Sequence, residues 1–289
     1  MSEINEVLSA DLSEIRKILA GEVKLRNSII KPLENAVRAL KDPHKNAVVL
    51  AEACAALENP PIELDLPDNF QSSIEQLKTI ADENLAELEF TFARDLREAF
   101  SEKGITLGGS SASELIADLF VIKVDMRGKK VDMTFSRQPV TDKKIKLNVE
   151  QVVAVYERAR KEICERNVDF NSLLGELFEA YNRVLKLTEK QIGTRTIIVD
   201  CYRELIMVRQ PASFRKTPSK QKFLDYPKTH FAFDMMQLRR SQKIIFDGHR
   251  LNLGTATIDV GSDSARAMFL ANNANEGQFI QYLYFTKEK

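Results

Sequence analysis

The sequence predicts a mainly helical α+β protein in three parts. A helical bundle and interaction region with one long helix covers residues 1–104, a small α/β unit with a β-hairpin covers 105–168, and a basic C-terminal module ending in a strand covers 169–289. Three observations carry this. From Ile74 to Phe100 apolar residues recur every three or four positions, the mark of an amphipathic helix. From Leu119 the pattern changes to alternation around Arg127-Gly128, the mark of a two-stranded hairpin. Asp247-Gly248 then joins two further apolar-bearing runs, and this dipeptide suits a type I′ turn because both central residues need positive φ.

Composition narrows the function classes. At 289 residues and 44% apolar content the chain has material for a sizeable core. Its formal charge of zero conceals an asymmetry: residues 1–104 hold twelve basic and twenty acidic residues, whereas residues 209–243 hold nine basic against two acidic, a net of +7. Cys54, Cys164 and Cys201 are odd in number and unclustered, which excludes a disulfide framework and a cysteine zinc site. The first ten residues carry Glu3 and Glu6 and lack the apolar core of a signal peptide. No apolar run is long enough to span a bilayer, so a soluble cytoplasmic protein without a membrane partner is expected.

Taken in order, residues 1–58 read as three helices. Asp11 to Glu14 resembles a capping box for a first helix ending at Gly21. A second runs from about Lys24 to Leu40 with Pro32 kinking or splitting it, and Asp42-Pro43 opens a third that Asn59-Pro60-Pro61 breaks. Ile62 to Asn69 is an extended connector, and Ser72 or Ser73 opens the long helix, which ends near Gly104. Gly108-Gly109-Ser110-Ser111 lacks the lysine and spacing of a phosphate loop; Ser111 with Glu114 reads instead as a capping box. Strands follow over Leu119–Met126, Val131–Ser136 and Lys143–Leu147, and Asn148 with Gln151 caps a helix ending near Asn167.

The C-terminal part begins with a helix from Leu173 to Lys190 and a short strand, Arg195 to Val199. Asp200 caps a helix over Cys201–Val208 that Pro211 ends. After a basic loop, Pro227 or Thr229 opens a helix to about Ser241, with Phe231, Met235 and Leu238 as its buried stripe and His230, Gln237, Arg240 and Ser241 opposite. The hairpin Lys243–Leu253 follows. Ser262 or Asp263 caps a short helix through Ala267 and Leu270, and Phe279–Phe285 forms a terminal strand placed to close the sheet begun by the hairpin. Helix, strand, helix, helix and hairpin over residues 169–258 resemble a winged-helix module in topology. That resemblance implies a groove helix and a wing touching the backbone. It departs from the pattern in the loop of about sixteen residues between the two central helices, where a helix-turn-helix uses three or four.

The resulting candidate nucleic-acid contacts are Arg215, Lys216, Lys220, Lys222, Lys228, His230, Gln237, Arg239, Arg240, Lys243, His249 and Arg250. Such a patch draws phosphate by releasing counterions. Duplex DNA is the expected partner, and the acidic helical half is expected to serve self-association or docking onto a larger DNA-processing or genome-defence assembly. A salt-paired scaffold without a nucleic-acid role is the alternative. A divalent-metal nuclease using Asp125 and Asp132, with Glu114 nearby, is a third reading; Asp142-Lys143-Lys144 places its lysine wrongly for it. His230, Asp234 and His249 make a conceivable metal set without any H-E-x-x-H. No residue stands out for catalysis, and no cofactor or metal is expected.

Overall fold

A computed structural model describes residues 2–60 and 66–288, with side chains from Leu12 onward. The chain is α+β, about 52% helical, with two small antiparallel sheets. It divides into two compact units: Met1–Leu96 with Val124–Lys130, and Arg97–Lys123 with Val131–Lys289. Residues 105–123, 131–168 and 169–289 therefore share one unit.

The first unit is built on α1 (Ser2–Ala39), α2 (Ala47–Leu57) and α3 (Phe70–Ser101), the last up to Leu96. α1 is one helix where the sequence suggested two. Gly21 has open space around it, so it costs only its backbone entropy. Pro32 deprives an exposed turn of one hydrogen bond, and water can satisfy the freed carbonyl there. The expected cap at Asp11 thus falls inside a helix. Asp42-Pro43 forms a turn instead of a helix start: Asp42 Oδ1 accepts from the Lys45 amide at 3.2 Å, and α2 begins four residues later. Ile29, Ala36 and Ala39 of α1 pack with Leu50, Ala53, Cys54 and Leu57 of α2 and with Ile74, Leu77 and Ala81 of α3. The alanines let the helices approach closely. The expected connector at Ile62 lies partly outside the described residues.

The second unit contains both sheets, apart from Val124, Asp125 and Lys130, which belong to the first. β1 (Glu114–Ala117), β2 (Phe120–Asp125), β3 (Lys130–Phe135) and β4 (Gln138–Pro139) lie in sequence order, with β5 (Ile145–Lys146) also on β3. The Gly-Gly-Ser-Ser segment precedes a strand, not the helix that a capping box implies. Ser111 Oγ does accept from the Glu114 amide at 3.0 Å, but the next residues pair with β2. Gly109 has φ +123°, and a Cβ there would lie 2.3 Å from the Glu114 carbonyl oxygen, so glycine is needed for this approach. α4 (Val149–Ala159) starts as expected, with Asn148 Oδ1 accepting from Gln151 N at 2.8 Å, and continues as a π turn to Cys164. Its Tyr156 ring stands edge-on to Phe100 at 4.9 Å and to Phe120 at 5.5 Å.

Next come α5 (Phe170–Leu187), β6 (Thr196–Ile197), α6 (Ile198–Val208), α7 (Ala212–Lys216) and α8 (Lys228–Ser241). The strand before α6 is only two residues, because Ile198 and Val199 of the β-branched run are taken over by the helix it adjoins. β7 (Ile245–Phe246) and β8 (His249–Thr255) form the expected hairpin, with Asp247 at φ 48° and Gly248 at 66°. β9 (Met268–Ala271) stands where a capped helix was expected, and the only helix nearby, α9 (Ile258–Gly261), precedes Ser262. All four β9 residues are buried, and β10 (Gly277–Lys287) claims them by pairing. β10 also pairs β8 and β6, giving the order β6-β10-β8-β7. The terminal strand closes this sheet, as expected.

The two sheets meet at the β3–β4 turn. Ser136 and Arg137 both have positive φ, 50° and 60°, a conformation normally left to asparagine or glycine. Ser136 Oγ donates to Phe269 O at 2.7 Å and accepts from Ala271 N at 3.1 Å, while the Arg137 guanidinium lies 4.3 Å from the Phe269 ring centroid. These contacts with β9 hold the strained turn.

Candidate nucleic-acid interface

The basic segment between α6 and α8 is an excursion fixed at its base. Gln210 is 2% exposed; its amide donates to Ile206 O at 2.8 Å and Leu224 O at 2.9 Å, and its oxygen accepts from Leu224 N at 2.9 Å. Two residues later in the returning segment, Tyr226 O accepts from Tyr202 OH at 2.6 Å. Inside the excursion Phe214 and Phe223 meet edge to face at 5.5 Å, which joins α7 to the 3₁₀ turn Lys220–Lys222. Arg215, Lys216, Lys220 and Lys222 are exposed on this loop. Arg215 Nη2 donates to Val208 O at 2.5 Å and so satisfies the C-terminus of α6. Among the described residues, Lys216, Lys220 and Lys222 enter no ion pair.

α8 departs from the groove helix that the sequence suggested. Thr229, Phe231, Ala232, Phe233, Asp234, Met235, Met236 and Leu238 are all buried, so most of the helix surface faces the core. Lys228, His230, Gln237 and Arg239 are half-buried, and only Arg240 is exposed along it. Its fourteen residues span about 21 Å, which separates Lys228 at its start from Arg239, Arg240 and Lys243 at its end. Arg240 Nη2 donates to Asn272 O at 2.6 Å, and Arg239 Nη1 is sealed from solvent without a hydrogen-bond partner. Lys243 is exposed. On the hairpin, His249 Nδ1 lies 2.7 Å from Asp247 O and its ring rests against Phe178 at 5.0 Å, while Arg250 pairs with Glu288 at 2.5 Å. The twelve candidate residues thus form separate groups; among the described residues only Arg250 of the twelve pairs with a carboxylate, and the loop gathers four exposed cations.

The sequence groups Asp234 with His230 and His249 as a conceivable metal set. It is instead 1% exposed. Both its oxygens face Arg166, Tyr226 OH donates to Oδ2 at 2.6 Å, and Arg209 Nη1 stands 4.0 Å away. Arg209 also donates to Glu176 Oε2 at 2.7 Å and stacks 3.8 Å from the Tyr226 ring centroid. Burial, and then the Asp234 charge, push the Tyr226 phenol well above its usual range. Burial and the neighbouring Arg166 push the His230 imidazole down. A neutral His230 supplies no cation to a phosphate. This network anchors α8 to the start of the basic loop, and sequence reading missed it. Six apolar residues among the eight from Phe231 to Leu238 were the available signal.

Comparison of the chain with protein-family models, curated proteins and solved structures returned no match. The chemistry of the candidate sites therefore rests on their own geometry. Asp125 accepts from Gly128 N at 2.8 Å and pairs with Lys130, Asp132 pairs with Lys144 at 2.5 Å, and Glu114 pairs with Lys123 at 3.0 Å. Each carboxylate of the nuclease reading is thus occupied by its own lysine. Among the described residues no three His, Cys, Asp or Glu side chains come together to hold a metal ion. Burial raises the thiols of Cys164 and Cys201 to about 11 and about 12, which suppresses the nucleophilic thiolate. No helix among the described residues is long and apolar enough to cross a membrane.

Proposed function

We propose that this chain binds nucleic acid, duplex DNA in the first instance, by setting the clamped loop between Gln210 and Leu224 against phosphates. The supporting observation is the set of exposed cations Arg215, Lys216, Lys220 and Lys222 on a loop whose base is fixed by buried side chains. Pre-set cations lose little freedom on binding, and counterion release drives the association. The element order α5, β6, α6, α7, α8, β7–β8 is what supports a winged-helix-like reading of this part. In this reading α8 is the support and the loop makes the contact, so sequence preference is weak, because phosphate contacts carry no sequence information. The helical N-terminal half supplies self-association or a dock for a protein partner in a larger assembly.

The test is a salt-series titration of a labelled duplex, followed by fluorescence anisotropy. Lys216→Ala/Lys220→Ala/Lys222→Ala should weaken binding at least about tenfold at low salt and reduce the log–log salt slope by about three. Unchanged affinity and slope in that variant, or no binding by the native chain at low salt, overturns the proposal. A second reading, a protein-interaction subunit without a nucleic-acid role, is favoured by the exposed apolar residues of α1. It predicts association in size-exclusion chromatography with no retention of DNA.

A further inference from the structure

We propose that the cavity beside the β3–β4 turn binds a small carboxylate with an apolar body, and that Arg137 takes its charge. The inference does not depend on nucleic-acid binding and uses none of the twelve basic-patch residues. The cavity holds about 550 Å³, within the roughly 300–1,000 Å³ of small-molecule sites. Residues 255–258, 261 and 262 supply one part of its lining, Gln278 and Phe279 of β10 another, and Arg137 the rest. Ala256 N donates to Phe279 O at 2.7 Å, which ties the first two parts together.

Arg137 is held in place without being used up. Its guanidinium lies over the Phe269 and Phe279 rings, 4.3 and 5.0 Å from their centroids. Its side chain is exposed and, among the described residues, enters no ion pair or hydrogen bond. The rings attract the cation through their π faces, and its N–H donors are left for an oxygen ligand. The backbone beneath it sits at φ 60°, fixed by the two hydrogen bonds of Ser136 with β9. Strain of this kind gathers at ligand clamps.

The remaining lining selects the ligand. Among the described residues that line the cavity, Arg137 is the only charged one, so no carboxylate of the lining competes for it. Thr255, Thr257 and Gln278 make no side-chain hydrogen bond among the described residues, and each has a donor to offer. Phe279 and Ile258, the latter 96% exposed, present apolar surface. A single guanidinium pairs bidentately with one carboxylate, and the apolar surface suits a hydrocarbon body attached to it. A phosphate monoester carries nearly two charges and finds only one cation here.

The probe is 3-phenylpropanoate at pH 7 with the full chain. Relaxation of its aromatic protons gives the Kd for each variant, and the methyl resonance of Ile258 in the isoleucine-labelled native chain locates the site. The acid should bind with a Kd near or below about 1 mM and shift the Ile258 methyl saturably. Uncharged 3-phenylpropanol and inorganic phosphate should each bind at least about tenfold more weakly. Arg137→Gln should weaken the acid about tenfold. Ile258→Asp changes a position too exposed to disturb folding and sets a like charge in the lining; it should weaken the acid at least about fivefold, and it decides the matter if the arginine variant does not fold. No saturable binding up to about 10 mM, 3-phenylpropanol binding within about twofold of the acid, or a folded variant as tight as the native chain would each overturn the proposal.

Discussion

Replacing Asp234 with asparagine tests the network beneath the basic loop. The substitution keeps the shape and a carbonyl acceptor but removes the charge. Arg166 faces the carboxylate with two nitrogens, Tyr226 OH donates to it at 2.6 Å, and Arg209 lies at 4.0 Å. A hydrogen bond to a charged acceptor is worth about 1.5–3 kcal/mol and a neutral one about half that. The two Arg166 contacts thus forfeit roughly 1 kcal/mol each, and two part-buried guanidinium groups are left with Glu176 as their counter-charge. The sum is about 3 kcal/mol, at the lower edge of what breaking a buried pair costs. For a unit of 97–123 with 131–289, that lowers Tm by about 6–12 °C. Thermal unfolding followed by circular dichroism reads the shift. Asp234→Asn/Arg166→Met should recover part of the loss, because a neutral pair leaves less charge stranded. A single variant melting within about 2 °C of the native chain would refute the account.

Other expectations concern separate features. Ser136→Ala leaves the Phe269 carbonyl and the Ala271 amide without their partner, and urea unfolding should show a loss of about 2–3 kcal/mol. Gly109→Ala forces a Cβ against the Glu114 carbonyl at positive φ, so the soluble yield and Tm should both fall. The folded-state pKa of His230 lies below its unfolded value of about 6.5. The unfolded chain therefore binds the extra proton, and the stability this group contributes is present above that value and lost as pH falls through the folded one. Between pH 7 and 5 the native chain should lose more Tm than His230→Gln does. Cys201, with its thiol raised to about 12, should react with a maleimide only as the protein unfolds.

Local signals carried the elements they govern. The Asn148 cap, the Asp247-Gly248 turn and the alternation of β2, β3 and β10 depend on neighbouring residues, and each is where the sequence placed it. One miss comes from a distant partner. Ser262 and Asp263 offered a helix cap, yet β10 recruited Met268–Ala271 as a strand. Gly21 and Pro32 are punctuation in an isolated peptide, but α1 runs through both. In the candidate interface, the count of basic residues was legible, and their division into groups was not. Arg209 is spent on Glu176 and Asp234, and Arg250 on Glu288. The stripe assigned to α8 described one side of a helix that is buried over most of its surface.

Because Gln210 holds the backbone of Leu224 directly, everything between them hangs from a closed socket. Lengthening such a segment costs little, about 0.6 kcal/mol for each doubling. Apart from Arg215, which satisfies Val208 O at the end of α6, its sequence is free to change without disturbing α6 or α8, and a foreign peptide of different length that keeps this arginine should leave the scaffold intact. The molecule carries Lys216, Lys220 and Lys222 on a replaceable part.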